Sequence, residues 1–238
     1  PNTSSSSRIT CGGIAEDDSI AENDERVGLH PLDQFRAFQT LRNLGMSEDD
    51  IAARHGRTTR WHPFLLGITV VKIMGLKPLL DTPLKGPYLM HDIPRLAKML
   101  DVPIRLPAKD VMFDNLPATR AYYWLADQDP ERAKAFAKRL YALRFQEIAD
   151  LTRPELLAHE AQSLGFDGAK LQLAIETPEI KQRVKDAVDA AVARGVFGSP
   201  FIIADGEPFW GCDRLWMLDH WLTHRSFGPQ AGGPLGPL

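Results

Sequence analysis

Cysteine is nearly absent: Cys11 and Cys212 are the only two in 238 residues. Two thiols so far apart exclude a disulfide framework, a CxxC redox pair and a cysteine-based zinc site. No apolar run approaches the roughly 18 residues of a membrane-crossing helix. The segment PNTSSSSRIT holds no apolar stretch of secretory-signal type, so a cytoplasmic location is expected. Positive charge is not in excess either: the formal net charge is −3, which argues against a surface built to track phosphates. The seven histidines show no HExxH or comparable ligand spacing, and neither a P-loop nor a GxSxG elbow occurs. No metal, no membrane and no nucleic acid are expected as partners.

What is present is ordinary globular material, 44% hydrophobic and 25% charged. Residues 1–30 are polar and acidic, with too little apolar area to offset the entropy of ordering. His30-Pro31-Leu32-Asp33 starts a helix carrying Phe35, Phe38, Leu41 and Leu44 at helical spacing, and Gly45 ends it. Ser47, with Asp50 three residues on, predicts a short helix through Arg54. Thr58 to His62 reads as a short strand closed by Pro63, and Phe64 to Met74 as a helix ending at Gly75. A proline-rich connector (Pro78, Pro83, Pro87) leads to a helix from Asp92 to Leu100. Further helices are predicted over 118–126, 131–149 and 154–164, with Phe136, Leu140 and Leu143 on one buried face.

The last segment is the most legible. Thr177-Pro178-Glu179 combines an N-cap, a proline at the first helical position and an acid favoured by the dipole. Ile180, Val184, Val188 and Ala191 share a face, and Gly195 closes the helix. Phe201–Ala204 and Glu207–Trp210 are strands joined by Asp205-Gly206. Asp213 then caps a helix with Leu215, Leu218, Trp221 and Leu222, and a Gly- and Pro-rich tail follows. Trp210, Trp216 and Trp221 read as packing residues. The order βα, helical block, α-β-β-α predicts an α/β chain: a thioredoxin-like fold with an inserted helical domain.

Gly195-Val196-Phe197-Gly198-Ser199-Pro200, Asp205-Gly206 and Phe209-Trp210-Gly211-Cys212-Asp213-Arg214-Leu215 together resemble the C-terminal signature of one family. It comprises the 2-hydroxychromene-2-carboxylate isomerases and kappa-class glutathione transferases, within the wider DsbA-like group. Trp61 to Gly67 is similar to that family's second strand and following turn, Pro83 to Asp92 to its connector, and Asn115 to Arg120 to a helix start in its insertion. The family's opening pattern, Phe-Asp-Phe-Xaa-Ser-Pro-Tyr, whose serine hydroxyl bonds the glutathione sulfur, has no match in this sequence. Residues from about 16 to 54 instead resemble part of a ParB-type partitioning protein, including Glu22-Asn23-Asp24-Glu25-Arg26, with a chimeric join expected near Ile51 to Gly56. The expected division is 1–50 ParB-like and partly disordered, 51–78 with 176–224 thioredoxin-like core, 79–175 helical insertion, and 225–238 extended tail. The first strand is then missing, or replaced by residues 8–14 with Cys11 near the catalytic position.

The resemblance implies glutathione as cofactor and a small aromatic-derived substrate, in an isomerase of aromatic-compound breakdown impaired by loss of the serine. A possible homodimer is implied too. The alternative is a non-catalytic glutathione- or partner-binding protein; a DNA-partitioning accessory is disfavoured because no DNA-reading element follows the acidic N-terminal segment. Ser199-Pro200 is the candidate cis-proline step, its backbone placed to pair with the cysteinyl unit of glutathione as an added strand. Gly211, Cys212 and Asp213 precede a helix, where free N–H groups attract a carboxylate and the Asp213 carboxylate suits an ammonium. Lys85 matches a family lysine near the glycyl carboxylate, while Leu76 stands where kappa-class relatives carry asparagine. Cys212 reads as a small buried thiol.

Overall fold

Ser47 opens helix α1 (Glu48–Arg54) with a reciprocal capping box: its hydroxyl accepts from the Asp50 N–H, and the Asp50 carboxylate accepts from the Ser47 N–H. The computed structural model describes residues 47–99, 101–106, 114–211 and 214–227. The expectations placed on residues 1–46, Cys11 included, lie outside them. After α1 come a π-helical segment Ile68–Ile73, a 3₁₀ turn Leu79–Asp81 and helix α2 (Lys85–Met99). Next are α3 (Leu116–Ala126), α4 (Pro130–Gln146), α5 (Pro154–Ser163), α6 (Gly168–Ala174) and α7 (Pro178–Ala193). Strands β1 (Phe201–Ala204) and β2 (Glu207–Trp210) and helix α8 (Leu215–His224) complete the order.

The helices start where side chains satisfy their first N–H groups. Asp129 accepts from Glu131 and Arg132, Asp167 from Lys170, and Thr177 from Ile180. Helix α6 was not anticipated. Helix α2 begins at Lys85 rather than near Asp92, because Pro87 sits in its first turn, where a missing N–H costs nothing. Gly86 is required there: a Cβ would lie 2.1 Å from the Leu80 carbonyl oxygen.

The predicted strand Thr58–His62 does not form. The carbonyls at its end are taken by phenols of α3 instead: Tyr122 donates to Trp61 at 3.0 Å and Tyr123 to Pro63 at 2.7 Å. A strand survives only where its backbone groups find a ladder partner. Among the described residues, β1 and β2 pair only with each other, antiparallel, Phe201 opposite Trp210 and Ala204 opposite Glu207. Asp205 and Gly206, at φ 53° and 89°, make the type I′ turn their sequence anticipates.

Two apolar clusters organise the packing. The larger joins the buried faces of α3 to α7 around Tyr123, Leu125, Phe136, Leu157 and Leu171, with Val184 and Val188 of α7. The smaller is built on Ile51, Phe209, Leu215 and Leu218, so α1, β2 and α8 meet in it. Trp221 borders it and donates from Nε1 to the Ala204 carbonyl at 3.3 Å. Trp216 is 55% exposed, against the expectation of a packing role, because it lies on the outer side of α8.

Candidate functional site

The Ser199-Pro200 bond is cis, as expected. The chain reaches it from α7 through Gly195, whose φ of 73° turns the backbone, with the Val196 N–H returning to the Ala191 carbonyl at 3.0 Å. The corner is held from below by aromatic packing. Phe197 lies edge-on to Phe201 and Trp210, with centroids 5.3 and 4.6 Å away. The Trp210 indole covers Gly198 so closely that a Cβ there would sit 2.0 Å from Nε1. Only glycine fits beneath it.

Ser199 and Pro200 are exposed, and Ser199 makes no hydrogen bond within the described residues, through backbone or hydroxyl. Its N–H and carbonyl are therefore open to a strand-like ligand. Gly211 belongs to the same corner, but differently from expectation. Its N–H, expected to be free for a carboxylate, donates to the Pro200 carbonyl at 3.0 Å, and its carbonyl accepts from Arg214. It clamps the corner. Cys212 and Asp213 lie outside the described residues; the residue flanking α8 is Arg214, whose side chain makes no cap bond. Lys85 stands apart as the exposed first residue of α2, with no ion pair or hydrogen bond joining it to the 198–211 corner. The structure thus brings Ser199, Pro200 and Gly211 together and leaves Lys85 on a separate element.

Around the corner, charge fixes the smaller pieces. Asp219 of α8 accepts from Arg54 at 3.0 Å and sits 3.0 Å from His55 Nε2, tying α1 to α8. Asp205 of the hairpin turn pairs with Arg57 at 2.9 Å and with Arg225. Sequence reasoning missed a cationic neighbourhood around His62: burial first, then Arg194, Arg183 and Arg60, hold that imidazole below its usual range. No local motif could reveal it, since the arginines are far apart in sequence. Among the described residues, no group of three or more acidic, histidine or cysteine side chains is arranged to hold a metal ion, and no helix is long and apolar enough to cross a membrane.

Comparison with known proteins accords with this geometry. The family model of the DSBA-like thioredoxin domain matches residues 35–223, and so begins upstream of the join expected at Ile51 to Gly56. Glutathione S-transferase kappa 1 of Homo sapiens is 30% identical over 172 residues, 67% of this chain and 76% of the relative. The 2-hydroxychromene-2-carboxylate isomerase of Pseudomonas putida is 25% identical over 189 residues, 79% of this chain and 90% of the relative. A solved 2-hydroxychromene-2-carboxylate isomerase superposes with a TM-score of 0.64 at 24% identity, covering 81% of this chain and 90% of that one.

Proposed function

This chain belongs to the DSBA-like thioredoxin domain family, and from that premise we propose that it is a glutathione-dependent isomerase of the 2-hydroxychromene-2-carboxylate type. The observation that carries the reading is the exposed Ser199, its backbone N–H and carbonyl unclaimed among the described residues, on a corner rigidified by Trp210 and the Gly211 clamp. An extended peptide such as glutathione fits that edge, because its own cysteinyl amide and carbonyl answer Ser199 as a strand partner. The relatives bearing glutathione transferase and isomerase names point the same way.

Bound there, glutathione would supply a thiolate that adds reversibly to a conjugated carbon, so that a neighbouring bond can rotate before the thiol leaves. The chain's part is to hold and orient. Ser199 fixes the cysteinyl unit, Cys212 and Asp213 receive the γ-glutamyl end, and Lys85 answers the glycyl carboxylate. No residue matches the family serine that stabilises the thiolate, so turnover is expected about 10²–10³-fold below that of a member carrying it. A second copy of the chain belongs to this reading as well, supported by apolar side chains left exposed between Leu66 and Val102, among them Ile73, Leu84 and Met99.

Titration calorimetry with reduced glutathione tests the reading. Saturable single-site binding that Ser199→Pro abolishes, by removing the N–H, is the expected result. Heat-silent mixing in folded protein refutes it. Binding with no isomerisation of a hydroxychromene carboxylate shifts the reading to the non-catalytic alternative.

A further inference from the structure

His220-Trp221-Leu222-Thr223-His224 places two imidazoles one turn apart on α8. The pair has the i, i+4 spacing of an HExxH helix without its glutamate, so a reading for the whole motif misses it. In the folded chain the two rings stand together, their centroids 4.4 Å apart and their planes tilted by 50°. One of them is also held from behind. His220 lies nearly parallel to Phe227 at 6.4 Å, while Phe227 stacks on Trp221 at 5.3 Å and meets Phe209 at 6.2 Å. Through Phe209 this aromatic group reaches the smaller core cluster. His220 is half-buried and His224 is exposed.

A simple aromatic pair prefers rings offset and parallel or edge-on, and this tilt is neither. A metal–nitrogen bond of about 2.1 Å puts each ring centre about 3.2 Å from a shared ion, and a right angle between two such bonds sets the centres about 4.5 Å apart. The observed separation matches that value. We propose that His220 and His224 chelate a divalent transition-metal ion that takes cis nitrogen ligands, copper(II) or nickel(II), on the last turn of α8. The carbonyl end of the helix favours the added positive charge. Among the described residues no third acidic, histidine or cysteine side chain joins the pair, so water fills the other positions and the ion exchanges readily. Asp219, next to His220 in sequence, is engaged by Arg54 and His55 of the α1 side. The ion bridges two turns of α8 and fixes the ring against which Phe227 packs, so its binding steadies the cluster of Phe209, Leu215 and Leu218. The site stands independently of the isomerase reading.

The test uses the full chain with nickel(II) as probe, followed by calorimetry, by the histidine ring resonances and by urea unfolding. Nickel(II) should bind saturably, broaden the His220 and His224 resonances ahead of those of the other histidines, and raise the urea midpoint. Magnesium(II), which seeks oxygen ligands, should do none of these. His224→Gln should weaken nickel(II) about 10-fold or more and abolish the rise in midpoint. That residue is exposed, so the fold should persist, and circular dichroism checks it. His220→Phe keeps a ring against Phe227 while removing the ligand, and should act alike. His159→Gln, exposed on α5, should bind like the parent. Four results overturn the proposal: both ring variants binding nickel(II) like the parent; magnesium(II) broadening the same resonances; another histidine broadening first; or a midpoint unmoved by saturating nickel(II), because an ion held by the native pair must stabilise the fold.

Discussion

Among the described residues, the helical layer and the hairpin corner are built on very different amounts of core. Eighteen buried apolar side chains of the described residues join α3 to α7, while four join α1, β2 and α8. The first region closes on itself, since each helix has neighbours on its apolar side. The second depends on a two-stranded ladder, which is marginal alone, and on small polar clips such as Asp219 to Arg54 and His55. Ser199, Pro200 and Gly211 stand on or beside the thin region, while Lys85 lies on α2. Binding segments are drawn from the less stable parts of a fold, and here the helical layer supplies the rigidity the corner lacks.

Breaking each core in turn should expose the contrast most strongly. Phe136 is fully buried at the centre of the larger cluster, so Phe136→Ala should cost about 3–5 kcal/mol in denaturant unfolding. Phe209→Ala removes the same side chain from the smaller cluster. Its effect should fall first on the corner: glutathione affinity lost and hairpin amides exchanging faster, while α3 to α7 keep their protection. Equal loss of protection in both regions would show that they unfold as one unit.

The same contrast appears in what the sequence made legible. The hairpin could be read because Asp-Gly between two apolar runs fixes its turn locally, and α7 because Thr177-Pro178 marks its start. Phe136, Leu140 and Leu143 are all buried as their spacing implies. The strand at Thr58–His62 misled, because strand formation depends on a partner elsewhere in the chain and β propensity says nothing of its absence. Pro83 does lie in the connector, but Pro87 stands inside α2, since a proline in the first turn does not stop a helix. Of the site, Ser199-Pro200 was legible through its signature. The cationic neighbourhood of His62 was not, since it exists only after α7 has packed.

The layer's hold on the 57–65 segment predicts an alkaline weakness. Burial pushes both Tyr122 and Tyr123 up to about 12. In the unfolded chain the phenols ionise near pH 10, so above that pH the unfolded state releases protons the native state keeps. Stability must therefore fall between about pH 10 and 12, by about 2–3 kcal/mol per tyrosine. Tyr122→Phe and Tyr123→Phe should each flatten that limb in a pH series of urea midpoints. Each should also lose about 1 kcal/mol at neutral pH for the carbonyl bond removed.

The smallest effect concerns the seam between the two regions. Lys134 of α4 is buried, and its ammonium reaches Thr59 at 2.9 Å, Glu131 at 3.1 Å and Asp49 of α1 at 3.4 Å, while Thr59 donates to Asp49. Partial burial opposes ionisation of Asp49, but the Thr59 bond and the Lys134 charge outweigh it, leaving the carboxyl below its usual range. A depressed carboxyl stabilises the fold above its unfolded value, and that contribution is lost as pH falls through the lower, folded one. Lys134→Met keeps most of the volume and removes the charge. It should cost about 1–2 kcal/mol at neutral pH and flatten the acid limb. Because α1 also carries Ile51 into the smaller cluster, the variant decides how the corner is supported. Weakened glutathione binding would mean that the layer steadies the corner through α1. Unchanged binding with reduced stability would mean that β1, β2 and α8 hold the Ser199 turn on their own.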